Sequence, residues 1–236
     1  MHDETARPEK DVQKEKKAHT LELFIVIMLG VTAWATWIGS IHGGNQAANF
    51  AQSNNLSALG NSMYNEGVQF MMQDVILYNE IMSLIIDQHF AEQRGDFDTY
   101  ERVDWKIDQL MTHMTDEFFD AFMWSAEQAE LLGETITPFM NEEFIDTYFA
   151  EANHFLEEAE EIFQQGMEDG TASDAFGLVT VFYTVSLFLL GITSTFHVER
   201  NKIIVLCIAT TTFLIATVYM MFQPMPTDFS LGAFFG

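Results

Sequence analysis

Three long apolar stretches punctuate an otherwise polar chain. Residues 23–41, 176–196 and 203–222 hold no ionised side chain. Each runs to about 20 residues, the length an α-helix needs to cross a hydrocarbon core of roughly 30 Å. They predict three transmembrane helices, at 21–42, 176–196 and 203–222. Only HVERNK separates the second from the third, so those two form an antiparallel hairpin. A cleaved signal peptide is the competing reading of the first stretch. Its apolar run is too long for that, no small-residue cleavage site closes it, and Trp34 and Trp37 sit where the site belongs.

Between the first two stretches the pattern turns helical and amphipathic. Met71, Val75, Tyr78, Met82, Ile85 and His89 recur at steps of four and three, widened by Phe70, Leu77, Ile81 and Leu84. Gly95 and Asp96 interrupt that helix. A second helix, over 97–132, lines up Tyr100, Val103, Ile107, Leu110, Met114, Phe118 and Phe122, and Gly133 ends it. Thr137 and Pro138 make an N-cap and first-turn pair for a third helix. That helix sets Phe144, Tyr148, Ala152, Phe155, Ala159 and Phe163 against a glutamate-rich face; Gly166 and Gly170 terminate it, and Ser173 or Asp174 caps the next span. Residues 45–55 (NQAANFAQSNN) either continue the first helix or form a short linker. The expected fold class is all-α: three transmembrane helices, with an acidic extracytoplasmic helical bundle inserted between the first and second.

Charge adds an orientation. The chain carries 35 Asp and Glu against 10 Lys and Arg, a net charge of −25. Five of the ten bases, Arg7, Lys10, Lys14, Lys16 and Lys17, lie in the polar tail 1–20, and Arg200 and Lys202 lie in the turn 197–202. Residues 43–175 hold 27 acids but only Arg94, Arg102 and Lys106 as bases. Basic loops stay cytoplasmic, which places the tail and the turn inside, with 43–175 and the 223–236 tail outside the inner (cytoplasmic) membrane. Phe229, Phe234 and Phe235 of that last tail are candidates for the interface or a neighbouring subunit. So acidic a surface repels nucleic-acid phosphates, and no nucleic-acid partner is expected.

Candidate chemistry is sparse. Cys207 is the one cysteine, so neither an intramolecular disulfide nor a cysteine metal site can form. Glu151 and His154 match the Glu-x-x-His spacing of di-iron bundles, but that centre needs two such motifs, and one is present. Glu66, Glu80 and Glu117 are the carboxylates available to complete a metal site there. The acid clusters at 116–120 and 157–161 could bind a divalent cation weakly, although they lack EF-hand spacing and a solvated face explains them better; no other cofactor is expected. No nucleophile elbow, P-loop or dinucleotide fingerprint occurs. Within the spans the polar groups are hydroxyls, and Thr32, Ala35, Thr36 and Gly39 form the small-residue face expected to mediate helix packing in the membrane. His42 lies just beyond it.

Ala33 and Trp34 followed by Gln46 and Ala47 form one group of motifs. Ser173 and Asp174 leading into Leu178, Val179, Thr180, Val181 and Phe182 form another, and Gly191, Ile192, Thr193 and Ser194 with Phe196 before a basic turn form a third. On these the chain resembles an uncharacterised bacterial family of three-span membrane proteins, a domain of unknown function. The resemblance implies an architecture and transfers no catalytic residue. The expected role is that of a non-enzymatic, self-associating structural or accessory membrane subunit, forming a homo-oligomer or joining a membrane complex. An oligomeric cation channel or transport-related protein with an acidic vestibule and a helical-bundle metalloprotein are the alternatives.

Overall fold

The structure is a computed structural model describing residues 9–196 and 198–226, with side chains from residue 19 onward, Ser194 apart. Five α-helices account for nearly all of the described residues: α1 (Glu9–Arg94), α2 (Phe97–Met111), α3 (Asp116–Leu132), α4 (Glu142–Ile192) and α5 (Glu199–Met221). Short 3-10 turns occupy Pro138–Met140 and Thr193–Thr195. No strand occurs among the described residues. Residues of the expected tails that carry Arg7, Phe229, Phe234 and Phe235, and His197 of the expected turn, lie outside the described residues.

Three helices are long and apolar enough to cross a membrane, with mean hydropathy in their most apolar windows of 1.9, 2.1 and 2.3. They are α1, α4 and α5, matching the three apolar stretches of the sequence. Two of them run far beyond a span. α1 is 86 residues long; it starts at Glu9, inside the stretch read as a polar tail, and passes through 45–55 with no linker. α4 is 51 residues long and continues through Gly166 and Gly170, where the sequence suggested an end. Glycine weakens a helix interior by roughly 0.5–1 kcal/mol relative to alanine, which an apposed helix offsets by packing closely. Both glycines are buried against such a neighbour.

The expected second helix is two helices. Thr112 closes α2, and Thr115 Oγ1 accepts a hydrogen bond from Phe118 N at 3.2 Å, capping α3. Asp96 caps α2 in the same way through Thr99 N, and Asn141 Oδ1 accepts from Phe144 N to cap α4. Gly95 and Gly133, both with φ of 68°, turn the chain out of α1 and α3 in the left-handed conformation that glycine tolerates. Thr137 and Pro138 open the 3-10 turn rather than α4 itself.

The chain divides into two compact units, one of residues 1–51 and 162–236, the other of residues 52–161. The first contains the three apolar segments. Its core is Met28, Ala35, Ile38, Phe176, Val179, Tyr183, Leu190, Ala209, Phe213 and Ala216. Alanines from α1 and α5 let the backbones approach, and Tyr183 stacks obliquely on Phe213 at 4.8 Å while its hydroxyl meets Thr217 Oγ1 at 3.0 Å.

The second unit packs two adjoining clusters. Ile81, Val103 and Ile107 form one, with Leu77, Leu84 and Leu110 around it. Phe118, Ala121 and Phe144 form the other, in which Phe118 and Phe144 stack at 5.6 Å. The expected stripe of the second helix is therefore the packed face of α2 and α3. On α1 the middle of the stripe packs against these clusters, Ile81 buried and Leu77, Tyr78, Leu84 and Ile85 beside it, but its two ends do not. Phe70 is 51% exposed and His89 is exposed, because the inward line is Ser53, Gly60, Gly67, Asp74 and Ile81, each seven residues from the next. Opposite them on α4, Ala152 and Ala159 are buried at the same spacing. A seven-residue repeat of small residues keeps one seam facing its partner helix.

Candidate functional site

In the unit of residues 52–161 the seam between α1 and α4 brings polar groups together. Ser53 Oγ donates to Ala159 O at 2.7 Å. A Cβ on Gly60 would meet the Leu156 side chain at 2.8 Å, and one on Gly67 would lie 2.3 Å from Tyr148 O. The backbones are thus in contact where the side chains are absent. One turn of a heptad further on, Tyr148 donates its hydroxyl to Asp74 Oδ2 at 2.5 Å. Burial, with the hydrogen bond to Asp74 and its negative charge, pushes the Tyr148 phenol well above the ordinary tyrosine range.

That shift has a sign. The folded state favours the protonated phenol, so the contribution is complete below the unfolded value near pH 10 and is lost as pH rises through the higher folded value. Alkaline pH therefore weakens the fold through Tyr148. Tyr148→Phe is expected to cost about 1–2 kcal/mol, since it strips a hydrogen bond from a charged partner, and to flatten the alkaline loss in denaturant titrations run at several pH values.

The unit of residues 1–51 and 162–236 holds the other polar constellation. His42 is 3% exposed. Its Nδ1 lies 2.7 Å from Asp169 Oδ1, and its Nε2 lies 3.1 Å from Pro224 O. Asn49 Nδ2 donates to Asp169 Oδ2 at 3.2 Å, and the Phe176 ring stacks on the imidazole at 5.9 Å. A carbonyl only accepts, so Nε2 carries a hydrogen. The group clips the segment after α5 to α1 and α4. Nothing in the sequence links position 42 to 169 or 224, and Asp169 reads there only as part of a helix end.

The four expected packing residues divide between two environments. Ala35 is fully buried. Gly39 is buried too, and a Cβ there would stand 3.0 Å from Phe176 Cβ. Thr32 Oγ1 donates to Met28 O and Thr36 Oγ1 to Thr32 O, the usual way a hydroxyl is satisfied within an apolar helix. Thr36 remains exposed, 3.4 Å from Thr180 Oγ1. Ala35, Thr36, Gly39, Ser40, Ser173, Gly177 and Thr180 border an open groove of about 630 Å³ between α1 and α4.

Glu151 and His154 are both exposed on α4. No group of three or more His, Cys, Asp or Glu that could hold a metal ion occurs among the described residues. Cys207 is exposed on α5. Comparison with protein families, curated proteins and solved structures finds no match to this chain.

Proposed function

We propose that the chain is a non-enzymatic integral membrane protein of the inner membrane that associates with copies of itself as a structural or accessory subunit. In this reading the N-terminus is cytoplasmic and the acidic residues 43–175 are extracytoplasmic. The observation that carries it is an excess of exposed large apolar side chains where no lipid would cover them. On the 52–161 unit Met72, Ile76, Ile86 and Phe90 are 52–64% exposed. Soluble surfaces rarely leave such residues in one line unless a protein covers them. The basic bias of the tail and the 197–202 turn supports the orientation.

Two measurements test the two halves of the reading. In a Cys207→Ser background, Gln109→Cys is expected to react with a membrane-impermeant maleimide on intact cells; reaction only after permeabilisation reverses the topology. The purified chain in nanodiscs or mild detergent is expected to have the mass of a dimer or higher oligomer. A monomer that brings down no other protein removes the functional reading.

A further inference from the structure

α1 has a second ordered face in the 52–161 unit. Met72, Ile76, Asn79, Ser83, Ile86 and Phe90 follow one another at steps of four and three, the a/d spacing of a two-stranded coiled coil. All six are exposed. They lie on the side of α1 opposite Gly67, Asp74 and Ile81, the line that packs inside the chain. None is charged, although the chain as a whole bears a net charge of −25.

We infer that this face receives α1 of a second copy of the chain, aligned in parallel. The inference rests on the self-association proposed above and names the surface that carries it. Charge permits this occupant. Two bodies this acidic repel wherever carboxylates meet, and this line lets two helices close without such a meeting. The flanks select the direction. Glu80 and Asp87 each directly follow a d position, Asn79 and Ile86, and so occupy e. The g flank holds Val75 and Met82 instead. Parallel helices set e of one against g of the other, so each acid meets an apolar side chain; antiparallel helices set e against e, and acid meets acid. Copies inserted in one bilayer with one topology already run α1 in the same direction.

Single cysteines in a Cys207→Ser background test the seam in native membranes. Ile76→Cys and Ile86→Cys are expected to oxidise to disulfide-linked dimers several-fold more than Gln109→Cys, an exposed position on α2. Ile76→Glu combined with Ile86→Glu is expected to abolish the dimer while circular dichroism and the monomer's unfolding stay unchanged, because both side chains are exposed. Cross-linking at Ile76 and Ile86 no greater than at Gln109, or cross-linking to a different protein, overturns the inference. If the wild-type chain is then still an oligomer by mass, self-association stands and only this surface falls. If it is a monomer, both fall.

Discussion

Gly67→Ala is expected to destabilise the protein by about 3 kcal/mol, at the upper end of the range for an overpacked core. The added methyl would stand 2.3 Å from the carbonyl oxygen of Tyr148. Backbone cannot rotate out of the way, so α1 and α4 must part locally, loosening the Tyr148–Asp74 hydrogen bond and the ring of Phe149. The informative comparison is Gly170→Ala, where the methyl would stand just as close, 2.3 Å, but to the amide nitrogen of Gln46. That atom ends a flexible side chain, which can swing aside. The expected cost is small, offset in part by the helix propensity that alanine restores. Gly44→Ala meets nothing within 4 Å and is expected to stabilise by about 0.5–1 kcal/mol. Unfolding titrations of the three variants in one detergent read the series directly. Equal effects for Gly67 and Gly170 would show that the seam yields as easily through backbone as through side chains.

His42→Leu is the second large effect, expected at about 2–3 kcal/mol. Leucine fills similar volume but leaves Pro224 O without its donor and Asp169 with Asn49 alone. Asp169→Asn is expected to cost less, because an amide can still donate to Nδ1 of a neutral imidazole. A His42→Leu variant as stable as wild type would mean that the clip contributes nothing net. Limited proteolysis adds a separate reading: cleavage after α5 should accelerate in His42→Leu, since the segment carrying Pro224 loses its tie to α1.

The three spans are legible in the sequence because a bilayer demands length and apolarity, and residues 23–41, 176–196 and 203–222 supply both. Val103, Ile107 and Phe118 are legible too, as spaced apolar residues on helices short enough to be amphipathic. The α1–α4 seam is hidden for a physical reason. Gly39, Ser53, Gly60 and Gly67 pack by being small, and smallness leaves no hydrophobic period to find. Read singly, Gly166 and Gly170 suggest helix ends; read with a partner helix at contact distance, they are the condition for that contact. Large apolar residues mislead in the opposite direction. Phe70 belongs to the sequence stripe yet is 51% exposed. At the candidate sites, Ala35 and Gly39 pack within the chain itself, whereas Glu151 and His154 face solvent. The tie of His42 to Asp169 and Pro224 joins positions that no local pattern connects.

The seam also sets a timetable for biosynthesis. Ser53 finds its acceptor on Ala159, 106 residues further along the chain, so at about 5–20 residues per second the ribosome needs roughly 5–20 s to deliver it. His42 waits longer, for an acceptor 182 residues away. Through that interval the longest helix of the protein stands with its glycines uncovered, and a nascent chain is at its most vulnerable to proteases and to wrong pairing. Slowing translation within the α4 coding region should therefore lower the yield of intact protein more than the same delay placed after α5.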